Sequence, residues 1–357
     1  MKICHVTTAH SPHDIRIYRK EATSISKSYK TFIALNTNEN VKNGDIEFLK
    51  LPKSNNRFLR FLKDGYLLYK KVSKENFDLI HFHDPDFILY AYLLSRQGTK
   101  IIYDVHEDVP RAIMSKYWIP RKLRKVVSYI FEKTENFFSK KFDYIVTATP
   151  FIKERFIRLN SNTEVINNYP LLNELNTANV DWLNKKKQVA YVGGLNNIRG
   201  VKYLAETSLK NPYDIKVAGK VKDLTYENNL KLVGQLNREE VKQLLNESYA
   251  GIVTFLPEPN HINSKPNKMF EYMSASLPLI CSNFNEWKDF VSVNKNGISV
   301  DPMNATEISN AIAYLIENPL VAENMGKNGR RAIEEKYNWE VESIKLTKIY
   351  NQLLKEN

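Results

Sequence analysis

The sequence predicts an α/β protein of two domains, each a parallel sheet with helices on both faces. Strand-like apolar runs alternate with helix-like segments along most of the chain, which is the pattern of parallel sheets covered by helices. An Asn-rich stretch, 167–187, interrupts that alternation with Pro170 and three consecutive lysines, as a linker does. The 357 residues are enough for two hydrophobic cores.

In the first half, short apolar runs predict strands and longer amphipathic segments predict helices. The expected strands are residues 2–8, 31–35, 46–51, 79–82, 100–105, 144–147 and 164–166, and the expected helices are 15–26, 58–72, a segment after 86 and a long region ending at 141. Polar residues follow several of these strands, among them His83 and His106. Parallel sheets bind ligands at that edge.

The second half repeats the pattern. Its expected strands are 189–192, 215–218, 230–233, 249–256, 277–281 and 298–300, with helices from about 199, at 238–246, after Pro266, from 305, from 319 and at 340–354. We therefore assign an N-terminal domain to 1–168, a linker to 169–187 and a C-terminal domain to 188–338. The last helix, 339–357, is expected to pack back on the N-terminal domain.

Composition narrows the class of protein. Hydrophobic residues make up 43% and charged residues 26%, a globular balance. Cys4 and Cys281 both lie in apolar runs and are expected to be reduced core residues. No leader is visible, and the longest apolar run, 87–94, is too short to span a bilayer. These features predict a cytoplasmic protein.

The net charge of +12 predicts an anionic partner. Residues 111–141 hold nine Lys or Arg and two Glu, so 9 − 2 gives +7 in that stretch. Arg121, Lys122, Arg124 and Lys125 crowd the start of a helix, where its dipole disfavours cations. Apolar residues recur along it at helical spacing. It is either a core-facing helix with solvated lysines or a surface that contacts anionic lipid.

The stretch 259–281 has the pattern of a loop, a helix and a buried strand. Ser264 is expected to cap the helix and Pro266 to occupy its first turn. The free N–H groups at such a helix start suit a phosphate. Glu271 is expected about one turn inside, pointing back towards the loop. The alternative is a surface helix with a solvated Glu.

Gly193 and Gly194 lie between a strand and a helix, where glycines let the backbone approach a diphosphate. Arg199 and Lys202 near the helix start favour a phosphate site. The spacing is neither Gly-x-Gly-x-x-Gly nor a P-loop, and a Gly pair is often only a turn.

Histidines and acids raise the question of a metal. Asp84 and Asp86 flank Pro85, and no third ligand is near in sequence. We expect His81 and His83 to point to opposite faces of a strand, so we predict no metal site. His106 is either a capping or core histidine or an active-site group. Glu107 and Asp108 are expected to raise its proton affinity.

Together these motifs resemble a GT-B glycosyltransferase of family 4. The resemblance implies an α/β protein of the GT-B fold, with two Rossmann-like domains that face each other across a cleft. Tyr-Val-Gly-Gly-Leu-x-x-x-Arg-Gly, ending at Gly200, resembles the family's first C-domain strand and phosphate loop. Pro-Asn-Lys-Met-Phe-Glu-Tyr-Met-Ser-Ala-Ser-Leu-Pro-Leu-Ile, starting at Pro266, resembles its donor helix, and 296–339 its C-terminal segment. The loops at 10–16, 83–85 and 103–107 resemble its acceptor side, which the resemblance assigns to His10, Asp14, Arg16, His83 and Asp84.

The resemblance also implies donor-side roles. Glu271 matches the acid that binds the donor ribose, whereas Asn263 stands where the family has its other acid. Arg199 matches the cation on the diphosphate, but Gly194 stands where another Arg is usual. We expect Lys268 to replace that charge. The complete donor set is Gly193, Gly194, Arg199, Asn263, Ser264, Lys265, Asn267, Lys268 and Glu271, and His106 matches the histidine that faces the transferred sugar.

The implied activity is retaining, metal-independent sugar transfer with no cofactor. A UDP-sugar is the favoured donor, and the acceptor is a glycan or lipid-linked glycan in bacterial-type surface polysaccharide synthesis. The partners would include an anionic membrane at the inner face of the cell membrane and no nucleic acid.

Two alternatives stay open. A nucleotide-sugar epimerase on the same fold would turn over donor without acceptor. A basic nucleic-acid-binding protein would bind strands with steep salt dependence, although the basic stretch lies beside an apolar stripe and no known binding module is present.

Overall fold

A computed structural model describes residues 1–42, 44–54, 63–116, 119–175, 182, 185–221 and 224–355, without the side chains of 224, 227, 228, 260 and 355. It has two parallel sheets flanked by helices, which confirms the predicted fold class. The chain forms two compact units, one of Met1–Asn168 with Val341–Asn357 and a second of Tyr169–Glu340.

The first unit contains a seven-stranded parallel sheet in the order β3-β2-β1-β4-β5-β6-β7. Its strands are β1 (Lys2–Thr7), β2 (Lys30–Asn36), β3 (Ile46–Leu51), β4 (Leu79–Phe82), β5 (Lys100–Val105), β6 (Tyr144–Thr147) and β7 (Thr163–Val165). The central strands β1 and β4 are buried along nearly all their length, as expected when helices cover both faces of a sheet.

Helices of this unit follow the predicted alternation. A π-helix, Ile15–Ala22, runs into α1 (Thr23–Ser26), and α2 (Gly65–Val72), α3 (Ile88–Ser95), α4 (Val109–Met114), α5 (Arg121–Ser139) and α6 (Pro150–Phe156) follow. The long region predicted to end at 141 is thus divided into α4 and α5. Residues 58–62 of the helix predicted at 58–72 lie outside the described residues.

The second unit contains a six-stranded parallel sheet in the order β10-β9-β8-β11-β12-β13. Its strands are β8 (Gln188–Val192), β9 (Asp214–Ala218), β10 (Lys231–Gly234), β11 (Ala250–Val253), β12 (Leu279–Ser282) and β13 (Gly297–Val300). Its helices are α7 (Val201–Lys210), α8 (Arg238–Asn246), α9 (Pro259–Ile262), α10 (Asn267–Ser274), α11 (Asn285–Asn294), α12 (Ala305–Glu317) and α13 (Pro319–Glu335).

The chain passes between the units at two places. The stretch predicted as a linker, 169–187, lies in the second unit, where Leu175 and Trp182 are buried in its core. The last helix, α14 (Trp339–Lys355), begins in the second unit and continues in the first. In the first unit its Tyr350 is fully buried and bonds to His81.

Candidate active site

The glycine turn after β8 is the first element of the donor side. Gly193 has φ +110°, which a residue with a side chain rarely adopts. A Cβ there would lie 3.3 Å from the Nζ of Lys268. The Gly193 N–H donates to the Ala218 carbonyl at 2.7 Å. A Cβ on Gly194 would meet only ordinary contacts, so the second position tolerates a side chain and the first does not.

Arg199 lies just before α7 and turns back onto this loop. Its Nη1 donates to the Gly194 carbonyl at 2.7 Å, and its guanidinium carbon lies 5.6 Å from the centre of the Phe255 ring. Gly200 follows with φ +81°, and a Cβ there would lie 2.3 Å from the Thr254 carbonyl oxygen. Only glycine fits this position, which fixes Arg199 beside the loop.

Lys268, the second residue of α10, places its ammonium in the same region. Its Nζ is buried and has no hydrogen-bond partner among the described residues. It lies 3.8 Å from the centre of the Tyr191 ring and 5.2 Å from that of Phe255, so ring faces give it its electrostatic support. Burial, and then the charge of Arg199, lower the pKa of Lys268 to about 7.

Glu271 lies one turn further along α10 and is ion-paired. Arg238 Nη1 donates to Glu271 Oε1 at 2.9 Å, and Arg238 Nε donates to Glu174 Oε1 at 2.9 Å. Two carboxylates therefore hold one guanidinium, and all three side chains keep some exposure. Glu271 is thus part of an ion-paired group and not the solvated glutamate of the alternative interpretation.

The remaining residues of the expected donor set lie on α9, α10 or the loop between them. Asn263 ends α9, and Asn267 is the exposed first residue of α10. Lys265 forms an ion pair with Glu286 at 3.1 Å. The predicted cap by Ser264 is wrong, because its Oγ donates to the His261 carbonyl and Pro266 occupies the N-cap.

In the first unit, Asp84 anchors the loop after β1. It accepts hydrogen bonds from the Thr7 hydroxyl and from the Thr8 N–H, and His10 Nδ1 lies 3.2 Å away. Burial opposes ionisation, but the hydrogen bonds from His10 and Thr7 hold the pKa of Asp84 well below its usual range. Burial alone would lower the pKa of His10, yet Asp84 raises it. Asp14 caps the π-helix by accepting from the Ile17 N–H.

Asp104 on β5 is the centre of the histidine and acid groups. It receives two hydrogen bonds from Arg16 at 2.8 and 2.9 Å, and its Oδ2 lies 2.8 Å from His106 Nε2 and 3.1 Å from His83 Nδ1. Burial would raise the pKa of Asp104, but Arg16 and then His106 hold it well below its usual range. His106 is 20% exposed, whereas Asp104 is fully buried.

Asp104, and neither Glu107 nor Asp108, is therefore the acid that binds His106. Asp108 instead lies 3.4–3.5 Å from two arginines, Arg155 and Arg111. Three of the five residues expected on the acceptor side, Arg16, His83 and Asp84, are buried. His10 and Asp14 keep partial exposure.

A second group, which we call the buried histidine cluster, consists of His5, Glu21, His81 and His83. The expectation that His81 and His83 face opposite sides is wrong: residues two apart in a strand share a face, and their ring centres are 4.7 Å apart. His5 pairs in register with His81 across β1 and β4. Burial lowers the pKa of His83 to about 4 and keeps the pKa values of His5 and His81 well below the usual range.

The basic helix α5 turns much of its apolar stripe outwards. Leu123, Val126 and Ile130 are 52%, 54% and 59% exposed, and the buried residues of this helix are Glu135 and Ser139. Arg121, Lys122 and Lys125 are exposed. Arg124 is held by the carbonyls of Ile119 and Met114. The core-facing interpretation of this helix is therefore wrong for these three apolar residues.

Three partners of the predicted site residues, Asp104, Arg238 and Tyr350, were not predicted from the sequence. Asp104 could have been found, because it is two residues before His106 and so shares its side of the strand. Arg238 is 33 residues from its partner Glu271, and no local pattern joins them. Tyr350 is 269 residues from His81, so only the folded chain brings them together.

Comparisons with known proteins place the chain in a family. The model of Glycosyltransferase Family 4 matches residues 31–169, and that of Glycosyl transferases group 1 matches residues 174–332. Capsular polysaccharide biosynthesis glycosyltransferase CapM of Staphylococcus aureus is 28% identical over 99 residues, which are 28% of this chain and 26% of that protein.

Solved structures share the fold. Sucrose-phosphate synthase from Thermosynechococcus elongatus superposes with a TM-score of 0.78 at 17% identity, over 100% of both chains. Anabaena HepE in complex with UDP gives 0.71 at 16%, over 99% of this chain and 100% of the other. Among the described residues, no helix has the length and apolar character to cross a bilayer. The two family models together take in most of the sequence, and the chain belongs to the family 4 glycosyltransferases of the GT-B fold.

Proposed function

We propose that the protein transfers a sugar from a UDP-sugar to a glycan or lipid-linked glycan with retention of configuration. The observation that most supports the donor assignment is that the buried ammonium of Lys268 has no hydrogen-bond partner among the described residues and lies against the Gly193 turn, near Arg199. A buried cation without a partner is costly. The diphosphate of a nucleotide sugar supplies the missing negative charge.

The proposed chemistry needs no nucleophile from the protein. The bond from the anomeric carbon to the diphosphate breaks, and the acceptor oxygen forms its bond on the same face. The acceptor's proton passes to the leaving diphosphate. Lys268 and Arg199 stabilise the charge that develops on that diphosphate, and helix α10 adds the partial positive charge of its N-terminus.

UDP is proposed because it occupies a protein of the same fold, Anabaena HepE. A polysaccharide acceptor is proposed because CapM, a capsular polysaccharide glycosyltransferase, is similar to part of the chain. The test incubates the protein with labelled UDP-sugars, with and without lipid extract. Transfer that requires the extract supports the proposal. Conversion of the donor sugar without any acceptor would identify an epimerase instead.

Glu271→Gln should weaken UDP binding by about tenfold or more, because a charged acceptor for ribose hydroxyls contributes about 1.5–3 kcal/mol per hydrogen bond. Calorimetry with UDP and 2′-deoxy-UDP shows whether the lost affinity comes from a contact with the ribose hydroxyls. Loss of a ribose contact makes the variant bind the two nucleotides more equally. A variant that binds both as the wild type does would refute the ribose assignment.

Arg238→Gln is the matched control for that measurement. Arg238 pairs with both Glu271 and Glu174, so its removal frees the Glu271 carboxylate and keeps its charge. If Glu271 acts only as a partner of Arg238, each of the two variants will lose the same affinity for UDP as for 2′-deoxy-UDP. That result would exclude the ribose contact.

We further propose that α5 attaches the enzyme to anionic membranes. Exposed cations at its start and the exposed apolar residues Leu123, Val126 and Ile130 lie on one helix. Such a helix lies in the lipid interface with its apolar side inserted, and each basic residue near an anionic surface contributes about 1 kcal/mol. The site of attachment would be the inner face of the cell membrane.

Replacing Arg121, Lys122 and Lys125 by Glu should abolish sedimentation with anionic vesicles and leave the weak binding to neutral vesicles unchanged. The matched control replaces three exposed lysines of the second unit, Lys288, Lys295 and Lys327, by Glu, with the same change in net charge. Equal loss in both variants would mean that overall charge, and not α5, determines binding.

A further inference from the structure

The buried histidine cluster is assembled from three elements of the first unit. His5 lies on β1, His81 on β4 with His83 directly after it, and Glu21 on the π-helix. Each residue offers one possible ligand atom, and these atoms all lie within 4.8 Å of one another. None of the four side chains is more than 2% exposed. Imidazole nitrogens with a carboxylate form a typical donor set for a transition metal.

Polar atoms in this cluster lack partners. His81 Nε2 and Glu21 Oε2 have no hydrogen-bond partner among the described residues, whereas Glu21 Oε1 lies 3.0 Å from Arg16 Nε in an ion pair. Glu21 Oε2 lies 3.8–3.9 Å from the Nδ1 atoms of all three histidines. A buried carboxylate oxygen and a buried imidazole nitrogen without partners are unfavourable, and a positive ion bound by both atoms would satisfy them.

The outer contacts of the histidines resemble those of metal ligands. His5 Nε2 and His81 Nδ1 lie 3.3 and 2.7 Å from the Tyr350 hydroxyl, and His83 Nδ1 lies 3.1 Å from Asp104. In metal sites the second ring nitrogen is held in this way. The ring nitrogens left for a metal are then His5 Nδ1, His81 Nε2 and His83 Nε2. Of these, His5 Nδ1 and His83 Nε2 lie 3.0 Å apart, near the roughly 3.3 Å between ligand atoms around tetrahedral zinc.

The charges nearby also favour a cation. Glu21 and Asp104 are two buried carboxylates, and Arg16 is their shared guanidinium partner. Two carboxylates thus share one guanidinium, and burial, followed by the charge of Asp104, raises the pKa of Glu21 well above its usual range when no cation is bound. His10 and His106 approach from the open side, where Asp84 pairs with His10 and Asp104 with His106.

We propose that His5, Glu21, His81 and His83 bind a structural Zn²⁺ ion that ties β1, β4 and the π-helix together. Mg²⁺ and Ca²⁺ prefer oxygen ligands and do not suit three imidazoles. This proposal departs from the sequence-based expectation that the protein has no metal. It is independent of the proposed sugar transfer, because the ion is not assigned any step of that reaction.

The test uses the full chain, purified without a histidine tag. Metal is removed with a chelator, and the protein is then titrated with Zn²⁺ and, as a coloured probe, with Co²⁺. We expect stoichiometric uptake, visible absorption of a low-coordinate Co²⁺ site and a higher melting temperature with Zn²⁺. A wild-type protein that takes up neither ion overturns the proposal and leaves a hydrogen-bonded histidine network.

Variants locate the ion. Glu21→Gln and His81→Gln should lose the Co²⁺ absorption, whereas His13→Ala, which removes an exposed histidine, should keep it. Binding that survives both cluster variants would place the metal elsewhere and refute the assignment. If the cluster variants do not fold, anomalous diffraction from wild-type crystals grown with Zn²⁺ gives the position directly, and a peak away from these four residues is equally contradictory.

Discussion

Lys268→Ala is expected to weaken UDP binding by roughly ten- to a hundredfold, the equivalent of about 1.5–3 kcal/mol for a charged hydrogen bond. The reason is that the Lys268 ammonium is buried against Tyr191 and Gly193 with no partner of its own among the described residues. Calorimetry on the variant and on Lys210→Ala, an exposed lysine at the end of α7, measures the effect. Equal affinity in Lys268→Ala and wild type would refute the role.

A second arginine should compensate in part. Gly194 tolerates a side chain, because a Cβ there meets Arg199 Nη1 and the Lys220 carbonyl only at ordinary distances. Gly194→Arg in the Lys268→Ala background is therefore expected to restore part of the UDP affinity. The double-mutant cycle isolates this coupling. Additive effects would mean that the two positions do not act on the same diphosphate.

The pH dependence follows from the same lysine. Because the pKa of Lys268 is lowered to about 7, much of it is neutral in the free protein above that pH. A bound diphosphate favours the charged form, so binding takes up protons, and UDP affinity should fall as the pH rises above 7. The Lys268→Ala variant should lose this slope. A wild-type affinity that is flat between pH 7 and 9 would contradict the assignment.

His106→Ala is expected to reduce kcat about a hundredfold, the loss typical when one group that stabilises a transition state is removed. UDP affinity should change little, because the donor residues of the second unit are untouched. His106 is partly exposed at the end of β5, and Asp104 holds its ring at 2.8 Å. Single-turnover kinetics together with calorimetry separate the two quantities.

Lys268→Ala serves as the contrast for that experiment, since it should lower affinity more strongly than His106→Ala does. Asp104→Asn tests the positioning of His106: it should lower kcat and leave UDP affinity unchanged. An active His106→Ala variant with a wild-type melting temperature would make His106 a structural histidine.

Much of the fold could be predicted because most sheet strands are short apolar runs separated by helix-length segments. Prediction from local sequence failed where two neighbouring residues could both take the same position in a helix. Pro266 takes the N-cap of α10, which leaves Ser264 to bond with His261. The apolar stripe of α5 predicted a helix correctly, but a stripe cannot reveal whether protein or solvent covers it.

The residues of the candidate sites also fall into two groups, those that local motifs predict and those that only the folded chain brings together. Gly193, Arg199 and Lys268 were expected together from motifs that lie near helix starts, and the structure brings them together. The partners of Glu271 and of the histidines come from distant segments, as Arg238 and Tyr350 show. Such contacts depend on strand order and helix packing, which the sequence alone specifies only through the complete fold.

The most direct test of the account is a thermal-shift screen of the wild-type protein with nucleoside mono- and diphosphates and their sugar conjugates. A ligand that binds only the folded state raises the melting temperature by an amount that grows with the ratio of its concentration to its Kd. We expect UDP and a UDP-sugar to stabilise the protein, UMP to do so much less, and Lys268→Ala to abolish most of the difference. No stabilisation by any diphosphate or diphosphate sugar would contradict the proposed donor site.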